Sequence, residues 1–253
     1  MNYQFNYGMY FAICQSQGVK DIPLLWLGLI LFVIVGAYLL GSINSAIIIS
    51  KIFYGDDIRR HGSGNAGTTN MLRTYGGKAA VFTLVFDMLK TVIAIFIAGI
   101  LFGFQYVGVM SVSRELYVSG LFAVLGHIFP VYYRGKGGKG VLCAATMALM
   151  LSPIVFGLLI LLFVGIVWMT KYVSLGSVVG VGLYPVMLRA YMATIFPGAQ
   201  MEGLISLSTV ILGILIIWCH RANLKRIMNR EENQISFKKK AKKPTEESQE
   251  QGK

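Results

Sequence analysis

Charge is what this chain has least of. Asp, Glu, Lys and Arg make up 13% of its 253 residues, about half the share found in soluble domains. Hydrophobic residues make up 55%, and the mean hydropathy is +0.65. No charged residue falls between Ile22 and Ser50, a run well past the roughly 20 apolar residues that cross a bilayer. These deficits exclude a soluble globular enzyme and describe an integral membrane protein. Nor is there an extramembrane stretch long enough for a second folded domain.

Cysteine is equally sparse. Cys14, Cys143 and Cys219 show no CxxC spacing, so neither a disulfide framework nor a zinc site is expected. No cluster of carboxylates with ligand spacing appears, and no metal or cofactor is anticipated. The first twenty residues lack the basic region that precedes the apolar core of a signal peptide. They scatter Tyr3, Phe5, Tyr7, Tyr10 and Phe11 instead, which reads as an external interfacial tail over residues 1–21 with aromatic anchors. No internal repeat is visible, which weakens an inverted-repeat transporter. Acidic residues are outnumbered, and the net charge is +12. The basic residues fall in short loops and at the C-terminus, where the positive-inside rule accounts for them. With no aromatic-basic groove to hold it, nucleic acid is excluded as a partner.

The apolar runs set the architecture. Candidate spans are Ile22–Ser50, Ala79–Phe102, Leu116–Tyr133, Val141–Thr170, Tyr172–Leu188 and Gly203–Cys219. The fourth, as one helix, would be roughly 45 Å long, too long for a ~30 Å hydrocarbon core unless strongly tilted. Ser152-Pro153 offers a break. The loop 51–78 and the tail after Cys219 are both basic, so an even number of crossings must separate them; splitting the long run gives six. The expectation is therefore all-α: seven transmembrane helices, N-terminus outside and C-terminus cytoplasmic. The segment after the second glycine loop would be short and in part only half-inserted. The transmembrane domain covers residues 22–232. Residues 233–253, with Lys238, Lys239, Lys240, Lys242 and Lys243, read as a basic disordered cytoplasmic tail drawn to anionic lipids.

Against this apolar background the polar clusters stand out. Arg59-Arg-His-Gly-Ser-Gly-Asn-Ala-Gly-Thr-Thr-Asn-Met-Leu-Arg73 combines glycines that permit close backbone approach with hydroxyl donors and a guanidinium suited to phosphate. Free N–H groups in such a turn form an anion-binding nest. The plainer reading is a polar loop between helices, capped by Asn65 or Thr69. Upstream, Gly41-Ser-Ile-Asn-Ser45 is read first as small residues that let helices pack closely. Arg134-Gly-Lys-Gly-Gly-Lys-Gly140 fails the P-loop pattern, because Gly140 follows Lys139 and no strand precedes it, so Walker-type nucleotide hydrolysis is disfavoured. What remains is a flexible backbone with two ammonium groups. Ser174 reads as a helix cap, and His220 and Asn223 share one helical face. Asp87 and Lys90 read as an i, i+3 ion pair inside a span, and His127 as a packing residue.

Taken in order, these segments resemble the PlsY family of bacterial acyl-phosphate:glycerol-3-phosphate acyltransferases. The matching residues are Gly41-Ser-Ile43, His61 to Asn70 with Arg73, Gly126-His-Ile-Phe-Pro-Val131, Lys136-Gly-Gly-Lys-Gly-Val141, Tyr172-Val-Ser174 and His220-Arg-Ala-Asn223 with Arg226. The resemblance implies seven spans with the motif loops in the cytoplasm of a bacterial cell. It implies acyl transfer from acyl phosphate to the 1-hydroxyl of glycerol 3-phosphate, giving lysophosphatidate and inorganic phosphate, by a monomer that uses neither metal nor cofactor. Ser63, Asn65 and Thr69 would hold the acyl-phosphate headgroup, and His220 would orient or deprotonate the attacking hydroxyl. Gly64, Gly67, Asn70, Arg73, Gly138, Lys139, Gly140, Ser174 and Asn223 would bind the substrates. The chain departs from the family pattern at Cys143, where a hydroxyl residue is usual, and at Arg230, where glycine is usual; Glu232 keeps its spacing. The competing reading is a transporter for small phosphorylated metabolites.

Overall fold

A computed structural model of the chain describes residues 4–5, 8–107, 110–195, 197 and 201–235. Eleven α-helices occur among them: α1 (Met9–Ser16), α2 (Pro23–Ser42), α3 (Ser45–Tyr54), α4 (Thr68–Tyr75), α5 (Gly77–Phe102), α6 (Arg114–Ile128), α7 (Val141–Leu151), α8 (Pro153–Thr170), α9 (Val173–Ile195), α10 (Gly203–Cys219) and α11 (Arg221–Met228). Three short strands, β1 (Gln4–Phe5), β2 (Gln105–Val107) and β3 (Met110–Ser111), pair antiparallel in the order β1-β2-β3.

Five helical segments are long and apolar enough to cross a membrane: Pro23–Tyr54, Gly77–Phe102, Arg114–Tyr133, Pro153–Thr170 and Val173–Ile195. A sixth is obtained if α10 and α11, bent by 52°, count as one. The remaining apolar helix, α7, has 11 residues and rises only about 16 Å. The long run 141–170 does divide at Ser152, which ends α7 and precedes Pro153 at the start of α8. A proline in the first turn forfeits no intrahelical bond. The Ser152 hydroxyl bonds the Ala148 carbonyl at 3.1 Å and Tyr184 Oη at 3.0 Å, which supplies polar partners at the corner.

The first uncharged run is not one regular helix. It breaks at Ile43-Asn44, where the Asn44 side chain accepts the Ile47 N–H at 3.0 Å and caps α3. Lys90 Nζ takes the Ile43 carbonyl at 2.9 Å. A buried asparagine cap and a lysine from another helix thus stabilise the interruption.

Close packing of α2 on α6 depends on two glycines. A Cβ on Gly41 would lie 2.1 Å from the Ala123 carbonyl oxygen, and one on Gly126 would lie 2.2 Å from that of Tyr38. The packing role expected for Gly41 is therefore present. Around this pair α5 lies against α2 and α6, and α8, α9 and α10 pack in sequence beyond them.

The N-terminal aromatics do not all serve as anchors. Tyr10 is 4% exposed, its ring lies 6.0 Å from that of Phe102, and its hydroxyl accepts the Ile22 N–H. Tyr10 thus belongs to the core, because α1 folds onto the end of α5. Tyr3 and Tyr7 lie outside the described residues, as do the lysines of the C-terminal tail. The start of that tail is tied down: Ile235 N–H donates to the Lys171 carbonyl at 3.0 Å.

Candidate active site

The loop before α4 is built around one side chain. Asn70, 1% exposed, donates Nδ2 to the carbonyls of His61 at 2.9 Å, Asn65 at 3.0 Å and Ile58 at 3.3 Å. Its Oδ1 accepts the Ser63 N–H at 3.0 Å. Gly62 and Gly64 take the left-handed conformation, with φ of 57° and 69°, and a Cβ on Gly62 would meet Asn70 Oδ1 at 2.2 Å. Asn70 is therefore spent on shaping the loop, its amide held by three backbone carbonyls and the Ser63 N–H.

The cap expected from Asn65 or Thr69 is absent. The N-cap of α4 is Gly67, with no side-chain hydrogen bond. The N–H groups of Asn65, Ala66, Thr68 and Thr69 have no partner among the described residues, and the buried Thr68 Oγ1 is also unpaired. Helix starts left open in this way favour anions. The Ser63 hydroxyl is exposed and free.

A second glycine-capped helix start meets the first. Gly140, at φ 80°, precedes α7 and again supplies no side-chain cap. The loop folds back onto the end of α6 through Gly137 N–H to the Ile128 carbonyl at 3.2 Å and Gly138 N–H to that of His127 at 3.0 Å. A Cβ on Gly138 would stand 2.7 Å from the Ala66 carbonyl oxygen and 2.1 Å from His127 Nε2. The two loops are thus in van der Waals contact at Ala66 and Gly138. Arg59 bridges them again, donating Nη1 to the Lys136 carbonyl at 3.3 Å. Its guanidinium is held by Asp57 at 2.7 Å, a bond that pulls the Asp57 carboxyl down to about 2.

Lys139 joins this seam to the end of the chain. Its Nζ donates to Asn223 Oδ1. Asn223 Nδ2 donates to Glu232 Oε1 at 2.6 Å, Ser174 Oγ to the same oxygen at 2.9 Å, and Arg226 Nε to Oε2 at 2.8 Å. Burial alone would raise the Glu232 carboxyl; these bonds outweigh it and hold its pKa below the usual glutamate value. Burial pushes the Lys139 ammonium down to about 8. Glu232 opposes that shift, while Arg226 and, least, Arg73 add to it. His220 is 3% exposed, and its Nδ1 lies 2.7 Å from the Ile216 carbonyl oxygen. Nδ1 must donate there, which leaves the lone pair on Nε2.

Most of the expected residues therefore converge. Ser63, Gly64, Asn65, Gly67 and Thr69 line one loop, Gly138, Lys139 and Gly140 the other, and Asn223 adjoins Lys139. Ser174 is bonded to Glu232; it is not a helix cap. The residue that sequence reasoning undervalued is Glu232, which gathers Ser174, Asn223 and Arg226 from two helices. Its only signal was its place two residues after Arg230, which keeps the Gly-x-Glu spacing of the family pattern. A cavity of about 620 Å³ lined by Lys51, Arg59, Arg60, Arg134 and Lys136, among others, opens beside Gly64. Neither Lys139, Asn223 nor His220 lines it, so it is an electropositive approach to the loops.

The chain is similar to known glycerol-3-phosphate acyltransferases in sequence and in fold. The family model for glycerol-3-phosphate acyltransferase matches residues 31–230. The glycerol-3-phosphate acyltransferase of Bacillus cytotoxicus is 38% identical over 206 residues, covering 81% of this chain and 95% of the relative. That of Bacillus subtilis is 35% identical over 209 residues, covering 83% and 99%. Among solved structures, PlsY, an integral membrane glycerol 3-phosphate acyltransferase, superposes in its glycerol 3-phosphate form with a TM-score of 0.70 at 34% identity, covering 82% of this chain and 96% of that one. Its lysophosphatidic acid form gives 0.69 at 33% identity, covering 82% and 95%.

Proposed function

The chain belongs to the glycerol-3-phosphate acyltransferase family, and from that premise we propose that it acylates the 1-hydroxyl of glycerol 3-phosphate with acyl phosphate as donor. The supporting observation is the contact between two uncapped helix starts, with Lys139 beside them. Both substrates carry phosphate, and each helix start offers one an array of unpaired N–H groups. The Ser63–Thr69 loop would hold the acyl-phosphate headgroup and stabilise charge on the departing phosphate. Lys139 and Arg73 would grip the glycerol phosphate, with Asn223 positioning Lys139. The hydroxyl oxygen bonds to the acyl carbon while the bond from that carbon to the phosphate oxygen breaks. The hydroxyl proton passes to His220 Nε2 or to a phosphate oxygen. An acyl phosphate is already activated, so holding the reactants in line supplies much of the rate, and no protein nucleophile is required.

The basic loops would face the cytoplasm of a bacterial cell, with the N-terminus outside and the crossings counted as seven. Ser174 and Lys139 meet through Asn223 and Glu232, which supports α7 and α8 as an out-and-back pair. A membrane-impermeant thiol reagent should then label a cysteine at Arg114 from outside and spare one at Arg60; the reverse pattern would refute this orientation.

The reaction is tested with purified protein in detergent, acyl phosphate, glycerol 3-phosphate and a chelator, following phosphate release. Release that needs both substrates is expected; folded protein giving none would refute the acyl-transfer reading. The same assay carries a pH signature. Lys139 is cationic below its depressed pKa of about 8 and neutral above it. The KM for glycerol 3-phosphate should therefore climb as pH rises through about 8, and kcat should fall at higher pH, because the bound dianion raises the ammonium pKa. A KM flat up to pH 10 would remove Lys139 from the phosphate site.

A further inference from the structure

Lys90 is held inside the bundle by three acceptors. Its Nζ lies 2.9 Å from the Ile43 carbonyl oxygen, 2.9 Å from Asp87 Oδ1 and 2.9 Å from His127 Nδ1. Asp87 Oδ1 also accepts the Ser45 hydroxyl at 3.0 Å. An ammonium carries three hydrogens and no lone pair. Nδ1 of His127 must therefore be the acceptor, and its proton sits on Nε2. An imidazolium would turn an N–H toward the ammonium and is disfavoured.

The other ring nitrogen is not idle. Nε2 has no hydrogen-bond partner among the described residues, and His127 as a whole is 4% exposed. The glycine geometry says where it points. The position of a Gly138 Cβ would be 2.1 Å from Nε2 and 2.7 Å from the Ala66 carbonyl oxygen. Nε2 thus abuts Gly138 where the two glycine loops touch, one residue from Lys139. A buried histidine with a fixed tautomer and an unpaired N–H at the junction of two glycine loops is more than packing.

We propose that His127 is a catalytic hydrogen-bond donor, giving Nε2–H to an oxygen of the phosphate group held at the Ala66–Gly138 seam, and that Lys90 is a positioning residue that fixes the donor tautomer. The inference rests on the acyl-transfer reading above. It also gives the two buried histidines opposite parts. His220 presents a lone pair at Nε2 because its Nδ1 donates to Ile216, and His127 presents a proton at Nε2 because its Nδ1 accepts from Lys90. One suits a hydroxyl that must lose its proton, the other a phosphate on which charge grows as the acyl–oxygen bond breaks. His127 gives a hydrogen bond only, and its proton stays on the ring.

Two measurements test this. In the first, His127→Leu removes the donor while keeping an apolar filling, and His127→Gln restores an N–H near Nε2. His127→Leu should lose about 100-fold or more in kcat/KM for acyl phosphate, as when one oxyanion donor is removed, with the KM for glycerol 3-phosphate within about threefold. His127→Gln should recover to within about tenfold of wild type, with an unchanged pH profile. Leu-variant turnover within threefold of wild type overturns the proposal, as does a folded Gln variant as inactive as Leu. The second measurement needs no variant and no turnover. In the ¹⁵N-histidine-labelled wild-type protein, His127 should show a protonated Nε2 and an unprotonated Nδ1, and the Nε2 signal should move as inorganic phosphate is added. A protonated Nδ1, or an Nε2 signal indifferent to saturating phosphate, overturns it. Wild-type protein inactive with both substrates refutes the acyl-transfer reading instead, and the phosphate titration still judges His127.

Discussion

Lys139→Ala should lower kcat/KM for glycerol 3-phosphate by about 10²–10³-fold, the scale of removing one charged or oriented donor from a preorganised site, and leave the fold intact. Among the described residues Lys139 is the one ammonium bonded to Asn223, and Asn223 is in turn bonded to the carboxylate that collects Ser174 and Arg226. Its truncation removes the positive charge but leaves that network standing. The stability cost is small because two effects oppose each other. Asn223 Oδ1 loses a donor, worth about 1 kcal/mol, while the desolvation that depresses the lysine pKa disappears with the lysine. The melting temperature should move by no more than about 4 °C. Turnover above a third of wild type, measured on folded protein by phosphate release, would show that the phosphate is gripped elsewhere. Lys139→Arg should rescue poorly, since a planar fork does not replace a point charge.

Gly138→Ala should be nearly as damaging, for a steric reason. The new methyl would fall 2.1 Å from His127 Nε2 and 2.7 Å from the Ala66 carbonyl oxygen, separations that no packed carbon tolerates. Neither neighbour yields easily. The His127 ring is bonded to Lys90 at 2.9 Å, and the Ala66 carbonyl accepts Asn44 Nδ2 at 3.3 Å. The loops must part by something like 1 Å, and a misplacement of that size costs about 10²-fold in rate. Overpacking should also cost about 1–3 kcal/mol of stability. Gly180→Ala is the control, because a Cβ there meets nothing within 4 Å; it should behave as wild type. A Gly138→Ala protein with wild-type kcat would mean that the contact between the loops is not needed for turnover.

Much of this arrangement was legible in the residue order. The apolar runs located the helices, and Ser152-Pro153 marked the division between α7 and α8 because a proline announces its own backbone constraint. The glycine loops were recognisable because a nest needs residues free at Cβ. What could not be read were partners supplied from afar. The break at Ile43-Asn44 is invisible in an uncharged run, since the group that stabilises it, Lys90, arrives 47 residues later. Asn70 read as a ligand because it falls within the matched family motif; its four backbone partners become apparent only when the loop is folded. Glu232 read only as a spacing match to the family pattern. Its value lies in orienting donors, which depends on α9 and α11 meeting. Tyr10 misled because an aromatic residue at a membrane boundary and one in a core look alike in a list of letters.

Asp87 and Lys90 also bear on how the chain is made. Their 2.9 Å pairing is confined to a single helix, α5, so the two charges can neutralise each other before any neighbour is in place. A lone ammonium at that depth would oppose delivery of the segment into lipid by about 2.5–3.5 kcal/mol. The carboxylate three residues away lets α5 leave the translocation machinery as a nearly neutral cylinder. Ile43 and His127, which come from other segments, add their contacts to Lys90 in the assembled bundle, so the same salt link that would ease insertion also ties the helices together.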